Sequence, residues 1–276
     1  MAEFWEALRS QPFMRNALLA GILASLACGI VGTYVVARRI VLISGGIAHA
    51  VLGGLGVASY YGFHPLHGAL VAALVGAVII GLASLRSGER EDTIIGAIWA
   101  TGMAIGILFI SQTPGYNVDL MSYLFGNILM VPPRDLYLMA ILDIGIVALI
   151  SMFYKQFLAV CFDEEYARLQ GVRVEFFYLL LLCLVALTVV LLIQVVGIVL
   201  VIALLTLPAA IAGQYVRSLS GMMIVAVILS GVLSTTGLMV SYLSDLPAGA
   251  TIIVLCAAVY LISTGLRRLF VLFQSL

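Results

Sequence analysis

The sequence predicts an all-α fold, a polytopic transmembrane helical bundle with about eight to nine spans. Hydrophobic residues make up 64% of the chain and charged residues only 9%, whereas soluble domains carry about 25% charged residues. Backbone amides in lipid need internal partners, so membrane spans are either helices or a closed barrel. A barrel has short alternating segments, but the apolar runs here are long and continuous, which favours helices.

About nine segments approach the roughly 20 apolar residues that a membrane-spanning helix needs. They are residues 17–37, 42–61, 66–85, 93–111, 136–153, 176–193, 197–214, 222–242 and 250–266. The break at residues 195–197 is the weakest boundary, where either a turn or a kink fits. Pro208 predicts a kink in the seventh segment or the end of its first half.

The connecting stretches and small residues carry further predictions. Residues 1–16 contain two acids and Trp5 but no basic start of a cleaved signal peptide, which indicates an amphipathic segment in the membrane interface. Residues 115–131 are too polar to span, and we expect a short outer helix at residues 120–127. The glycines at residues 53–56 fit either close helix packing or a bent helix beside a pathway.

Basic residues follow every odd-numbered span, and the even-numbered exits contain no Lys or Arg before Arg134. The basic residues are Arg38, Arg39, Arg86, Arg90, Lys155, Arg168, Arg173, Arg217, Arg267 and Arg268. Cytoplasmic loops of membrane proteins carry an excess of Lys and Arg. We therefore expect the N-terminus outside and the C-terminus inside.

A charged segment, residues 154–175, lies between long apolar runs. Its charged residues are Lys155, Asp163, Glu164, Glu165, Arg168, Arg173 and Glu175. Residues 163–169 read as a short helix, because acids at its start and Arg168 near its end suit the helix dipole. Gly171 is a common type of helix terminator. This helix fits either a docking site for a soluble partner or a solvated loop that needs no partner.

Ionisable groups inside spans are candidate functional residues, because their burial in lipid is expensive. His49 lies in the second predicted span and Asp143 in the middle of the fifth. Imidazole and carboxylate groups both bind transition-metal ions. The alternatives are that His49 is a hydrogen-bonded packing residue and that Asp143 orients two helices through a polar partner.

Three further residues lie in the predicted outer loops. His64 and His67 flank Pro65, which disrupts helical geometry, and a solvated loop is the favoured interpretation. Asp245 precedes Leu246 and Pro247. It fits either an N-terminal cap for the last span or an anion that attracts cations at the outer mouth.

Several classes of function are disfavoured. The net charge of zero shows no basic field for nucleic acid, and the four cysteines have no CxxC or zinc-finger spacing. There is no GxxxxGK[ST] nucleotide-binding loop and no Ser-His-Asp set. Any energy used must therefore come from another chain or from an ion gradient.

Three stretches resemble one family, the membrane permease subunits of ABC importers for zinc, manganese and iron. Residues 12–54, ending in RRIVLISGGIAHAVLGG, are similar to the first two spans of that family. Residues 162–212, from FDEEYARLQGVRVEFF to LLTLPAAIA, resemble its most recognisable stretch, and SDLPAGATIIVL resembles its Asp-x-Pro-x-Gly ending.

The resemblance implies a vitamin-importer-like ABC permease fold in a single transmembrane permease domain over residues 1–276. It further implies a homodimer in a bacterial cytoplasmic (inner) membrane, two separate ATPase subunits that hydrolyse ATP, and an extracytoplasmic metal-binding protein. Residues 162–174 would form the loop of a cytoplasmic coupling helix. The expected ATPase contacts are Asp163, Glu164, Glu165, Ala167 and Gly171.

The resemblance also implies a metal pathway, for which we select His49, Asp143 and Asp245, with His49 as the metal contact. Family members commonly carry an aspartate four residues before this histidine, but this chain has Gly45 there. Either His49 holds the metal with fewer ligands, or another acid such as Asp143 substitutes, or the transported ion differs.

The predicted function is that of a permease subunit, not itself an enzyme, which moves a divalent zinc, manganese or iron ion by alternating access. No tightly bound cofactor is expected, and ATP is expected on the partner subunits. One alternative is an ABC permease for a chelated metal or organic ligand. Another is a secondary transporter driven by an ion gradient, which would predict an internal repeat.

Overall fold

A computed structural model describes residues 2–87, 91–113, 126 and 128–274, and within these residues the chain is helical and contains no strand. In chain order the helices are α1 (Ala2–Ser10), α2 (Pro12–Ala37), α3 (Val41–Tyr60), α4 (Pro65–Ser87), α5 (Glu91–Ser111), α6 (Pro133–Met152), α7 (Tyr154–Phe162), α8 (Glu164–Leu169), α9 (Val174–Val196), α10 (Ile198–Tyr215), α11 (Leu219–Ser244) and α12 (Ala248–Gln274). A 3₁₀ turn covers Ile128–Met130.

Nine of the helices in the described part of the chain, α2 to α6 and α9 to α12, are long and apolar enough to cross a membrane. The chain is therefore a polytopic, all-α membrane protein, and the predicted fold class is confirmed. The outer helix predicted at residues 120–127 lies outside the described residues, apart from Gly126.

The chain divides into two compact units. Unit 1 contains Met1–Ala37, Leu124–Ile144 and Val195–Leu276, and unit 2 contains Arg38–Tyr123 and Gly145–Gln194. The assignment of residues 1–276 to one permease domain stays a prediction.

In unit 1, α2 packs against α10 and α11, and α12 packs against the same two helices. Small residues allow these close approaches. A Cβ on Gly29 would lie 2.5 Å from a side-chain atom of Val227, and Gly32 has no room for one against the backbone of Leu205. The buried hydroxyls of Ser25 and Ser234, 3.4 Å apart, link α2 to α11. Close packing of small residues is the usual basis of helix association in lipid.

In unit 2, α3 packs against both α4 and α5. Gly54 of α3 and Gly68 of α4 approach too closely for a Cβ on either residue, and a Cβ on Gly53 would lie 2.9 Å from the carbonyl oxygen of Gly102 in α5. Helix α3 runs without interruption through this stretch. The glycines near residue 54 therefore serve helix packing, and α3 is not broken there.

The boundary between α9 and α10 is the single residue Gly197. Its φ of 80° and ψ of 160° belong to a region that essentially only glycine adopts. Gly126 packs against the backbone at Val196 and Gly197 without room for a Cβ. Pro208 lies inside α10, which continues as one helix from Ile198 to Tyr215, so this proline does not end the helix.

The N-terminal segment forms α1, a short helix with one buried face. Phe4 is 1% exposed while the neighbouring Trp5 is 55% exposed. The ring of Phe4 lies 6.2 Å from that of Tyr242 in α11. The amphipathic character predicted for residues 1–16 is present in this helix.

Candidate functional site

The predicted short helix in the charged segment is α8, and polar contacts define both of its ends. Asp163 is the N-cap residue, and its Oδ1 accepts a hydrogen bond of 2.9 Å from the backbone N–H of Tyr166. Gly171 has a φ of +75°, and the N–H of Val172 donates to the carbonyl oxygen of Ala167 at 3.0 Å. A capping side chain at the start and a left-handed glycine at the end are the signals that limit α8 to six residues.

One face of α8 is held against unit 2. Ala167 is fully buried, and Arg38 donates a hydrogen bond to the carboxylate of Glu164. The guanidinium of Arg38 also lies 5.3 Å from the centre of the Tyr178 ring, within the range of a cation–π interaction. The Tyr178 hydroxyl is 3.0 Å from Ser84 Oγ. These contacts connect α8 to α9 and α4 within the unit.

The opposite face of α8 is open. Leu169 is 85% exposed and Tyr166 is 55% exposed, and Asp163, Glu165 and Gly171 are also exposed. Ala167 was selected from sequence as an ATPase contact, but its burial leaves no surface for a partner, so it instead seats the helix. Tyr166 and Leu169 were missed, although two large apolar side chains on a short polar helix were a usable signal.

His49 lies on α3 and contacts α5. Its imidazole stacks on the indole of Trp99, with ring centres 4.2 Å apart and planes inclined by 7°. Trp99 Nε1 donates to Met103 Sδ at 3.1 Å. His49 Nδ1 is buried and has no hydrogen-bond partner among the described residues. The alternative that His49 is a hydrogen-bonded packing residue is therefore not supported at this nitrogen.

Asp143 lies on α6 in unit 1, whereas His49 belongs to unit 2. The Asp143 side chain is only 3% exposed, and neither carboxylate oxygen has a hydrogen-bond partner within the described part of the chain. An ionised carboxylate in such surroundings is costly. The predicted role of Asp143 in orienting two helices through a polar partner finds no hydrogen-bond partner for it among these residues.

Asp245 is exposed and occupies the C-cap position of α11, with a left-handed φ of 53°. It was expected either to cap the start of the last span or to act as an outer anion. The first expectation is wrong in detail, because Asp245 ends the preceding helix. His64 and His67 are both exposed, with ring centres 5.5 Å apart. The loop expectation is wrong for His67, which lies in the first turn of α4, because that helix begins at Pro65.

No group of three or more His, Cys, Asp or Glu side chains is arranged to hold a metal ion within the residues that the structure covers. The described part of each candidate site therefore brings together at most two such side chains.

Within its described residues the chain is a membrane bundle of apolar helices, interrupted by one short, capped and half-exposed helix. The sequence profile of the ABC 3 transport family matches residues 10–267. The chain belongs to this family, and the family recognised from sequence is confirmed.

Relatives and one solved structure agree with this assignment. The chain is 46% identical to the probable metal transport system membrane protein of Chlamydia trachomatis, over 93% of this chain and 90% of that protein. It is 34% identical to the manganese import system permease protein ScaB of Streptococcus gordonii, over 95% of this chain and 94% of that protein. It also matches a chain of PsaBC from Streptococcus pneumoniae with a TM-score of 0.86 and 35% identity, covering 95% of this chain and 94% of that one.

Proposed function

We propose that this chain is the permease subunit of an ATP-driven importer for a divalent transition-metal ion, either zinc, manganese or iron. Its relatives are named as metal and manganese transport proteins, and its family is a transport family. Transport is by alternating access in a bacterial cytoplasmic membrane. The N-terminus lies outside and the C-terminus inside, because the basic residues follow the odd-numbered spans.

The observation that carries the proposal is the two-sided character of α8. Ala167 and Glu164 attach one face to unit 2, while Leu169 and Tyr166 are exposed on the other. An exposed apolar pair on a firmly attached helix fits a socket on a soluble protein. In the proposed importer, residues 162–174 form the cytoplasmic coupling-helix loop, and Glu165 and Gly171 border the same contact.

The remaining partners follow from the same proposal. Two copies of this chain form the pathway, two ATPase subunits bind on the α8 side, and an extracytoplasmic metal-binding protein docks opposite. This chain contains no GxxxxGK[ST] loop, so ATP is hydrolysed on the partner subunits and the permease is not itself an enzyme. No tightly bound cofactor is needed, because the metal is the cargo.

The metal pathway in this proposal includes His49, Asp143 and Asp245. His49 is the main metal contact, because its Nδ1 is buried with no hydrogen-bond partner in the described residues. Asp143 is a buried acid in the membrane, and exposed Asp245 lies at the outer mouth in the proposed topology. Weak contacts suit a pathway, since an ion must also leave it.

Capture of the co-expressed ATPase by the tagged permease tests the role of α8. We expect Leu169→Arg to abolish capture, because the arginine places a charge in an apolar contact. Leu246→Arg is the control: Leu246 is also exposed, at 52%, but lies on the opposite side in the proposed topology, so capture should persist. Equal capture by both variants would overturn the docking role, and ion uptake without any ATPase would favour a secondary transporter.

A further inference from the structure

The described contact of the His49 side chain is with an aromatic ring. Within unit 2, the neighbours described for its side chain are the Trp99 ring and, beyond it, the sulfur of Met103. No cluster of three ionisable metal ligands includes His49 in the described part of the chain. The donor that this site supplies from the described residues is therefore the imidazole.

Gly45 marks the place where a carboxylate would complete this site. Residues four apart on a helix lie on the same face, with their Cβ atoms about 5–6 Å apart. Gly45 is itself buried, yet a Cβ built on it would meet no described atom within 4 Å. The backbone thus leaves room for a side chain one turn before His49, and no described residue fills this space.

The His49 ring is presented with one nitrogen available. Stacking on Trp99 at 4.2 Å limits rotation of the imidazole plane. The Trp99 N–H is already engaged by Met103, so it does not occupy a nitrogen of His49. The buried Nδ1 has no hydrogen-bond partner among the residues described, which leaves it able to bind a metal ion.

Ligand chemistry separates the candidate ions at such a site. Imidazole suits zinc, copper, iron and nickel, whereas manganese favours carboxylate, carbonyl and water ligands. Manganese also binds a given nitrogen site more weakly than zinc does. A contact that has an imidazole but no carboxylate one turn away therefore discriminates against manganese.

We infer that the His49 contact selects zinc over manganese. We further infer that this preference is set by Gly45, which supplies no side chain one turn before His49. The inference rests on the proposed function and refines it by naming the ion. It also separates this chain from its relative named as a manganese permease, which is 34% identical.

Uptake of zinc and manganese isotopes by the assembled importer, in cells lacking other importers of both metals, tests the inference. We expect the native chain to prefer zinc by about tenfold or more, which corresponds to a modest difference in free energy. Gly45→Asp should raise manganese uptake severalfold, because it adds a hard oxygen ligand in open space. Gly45→Leu is the matched control, since its side chain is similar in size to that of aspartate but carries no oxygen ligand, and it should leave the native preference unchanged.

Two outcomes would overturn the inference. One is a native chain that carries manganese as well as zinc, and the other is an equal gain of manganese uptake in Gly45→Asp and Gly45→Leu. Both outcomes leave the proposed importer intact. A native assembly that carries neither metal would instead remove the proposed function. If Gly45→Asp fails to assemble with the ATPase, the preference measured for the native chain alone still decides between zinc and manganese.

Discussion

Arg38 donates a hydrogen bond to the carboxylate of Glu164, and this contact joins the residue that follows α2 to the first turn of α8. Both side chains are partly screened from solvent, with exposures of 21% for Arg38 and 35% for Glu164. The Tyr178 ring lies on another side of the same guanidinium, 5.3 Å away. A movement of α8 would therefore disturb the contacts that Arg38 makes with both Glu164 and Tyr178.

Arg38→Glu should reduce metal uptake per ATP hydrolysed by the assembled importer. The change places two carboxylates together and leaves polar groups unpaired, at a cost of about 1–3 kcal/mol. The double variant Arg38→Glu with Glu164→Arg should recover part of the lost metal uptake per ATP hydrolysed, because it restores a pair of opposite charges. Parallel measurement of uptake and ATP hydrolysis in proteoliposomes provides the readout.

The ion pair between Arg168 and Glu175 is a suitable control for this experiment. Its atoms are 2.8 Å apart, but both side chains are more than half exposed, at 55% and 54%. Exposed pairs contribute little, so Glu175→Arg, which breaks the pair on α9 outside the coupling-helix loop, should change the ratio much less than Arg38→Glu does. Equal losses in both variants would argue against a special role for Arg38.

Trp99→Ala should lower the initial rate of metal uptake, because His49 loses the ring that holds its imidazole plane. Trp99→Phe keeps an aromatic face and should retain most of the rate. ATPase capture should be the same in both variants, since Trp99 lies on α5, away from the α8 contacts described here. Full uptake by the alanine variant would show that the stacking does not position His49.

Asp143→Asn is expected to leave the assembly folded and to raise its thermal unfolding temperature in detergent, because it removes a buried carboxylate with no described hydrogen-bond partner. If Asp143 is part of the metal pathway, as proposed, the same variant loses uptake. Normal uptake combined with higher stability would remove Asp143 from the pathway. It would show that the buried carboxylate only lowers the stability of the protein.

Gly197→Ala should destabilise the protein by about 1–3 kcal/mol, because alanine strongly disfavours the backbone conformation at this position. Gly145→Ala is the control: Gly145 lies inside α6, and a Cβ there meets no described atom within 4 Å. Thermal unfolding of the two variants in the same detergent should give a clear decrease for Gly197→Ala only. An unchanged transition would mean that the α9–α10 boundary tolerates a different backbone.

Cys161 in α7 provides a pH-dependent probe of the charged segment. Burial raises the pKa of its thiol to about 12, and the nearby Arg38 opposes this rise only in part. The thiol therefore stays protonated between about pH 7 and 9, whereas an ordinary thiol with a pKa of about 8.5 ionises there. Maleimide labelling of Cys161 should be slow in the native protein across this range and faster after denaturation. Rapid native labelling would show that α7 is not packed as described.

Several features of this protein follow from sequence because they depend on short stretches of chain. The nine apolar helices in the described part of the chain follow from the transfer of about 20 consecutive side chains into lipid. Helix α8 follows from Asp163, Arg168 and Gly171, which act on their own helix within a few residues. The family assignment rests on similar local patterns spread over residues 10–267.

Other features depend on contacts between residues far apart in sequence. His49 stacks on Trp99, and Arg38 binds Glu164 across 126 positions; neither pairing leaves a periodic signal. The burial of Ala167 and the left-handed conformation of Asp245 likewise depend on how neighbouring helices pack and end. The sequence alone determined a membrane bundle with a capped, charged helix, because hydropathy and capping are local. Only the tertiary structure decided which face of that helix is free and what surrounds His49, because packing brings together side chains that no local pattern relates.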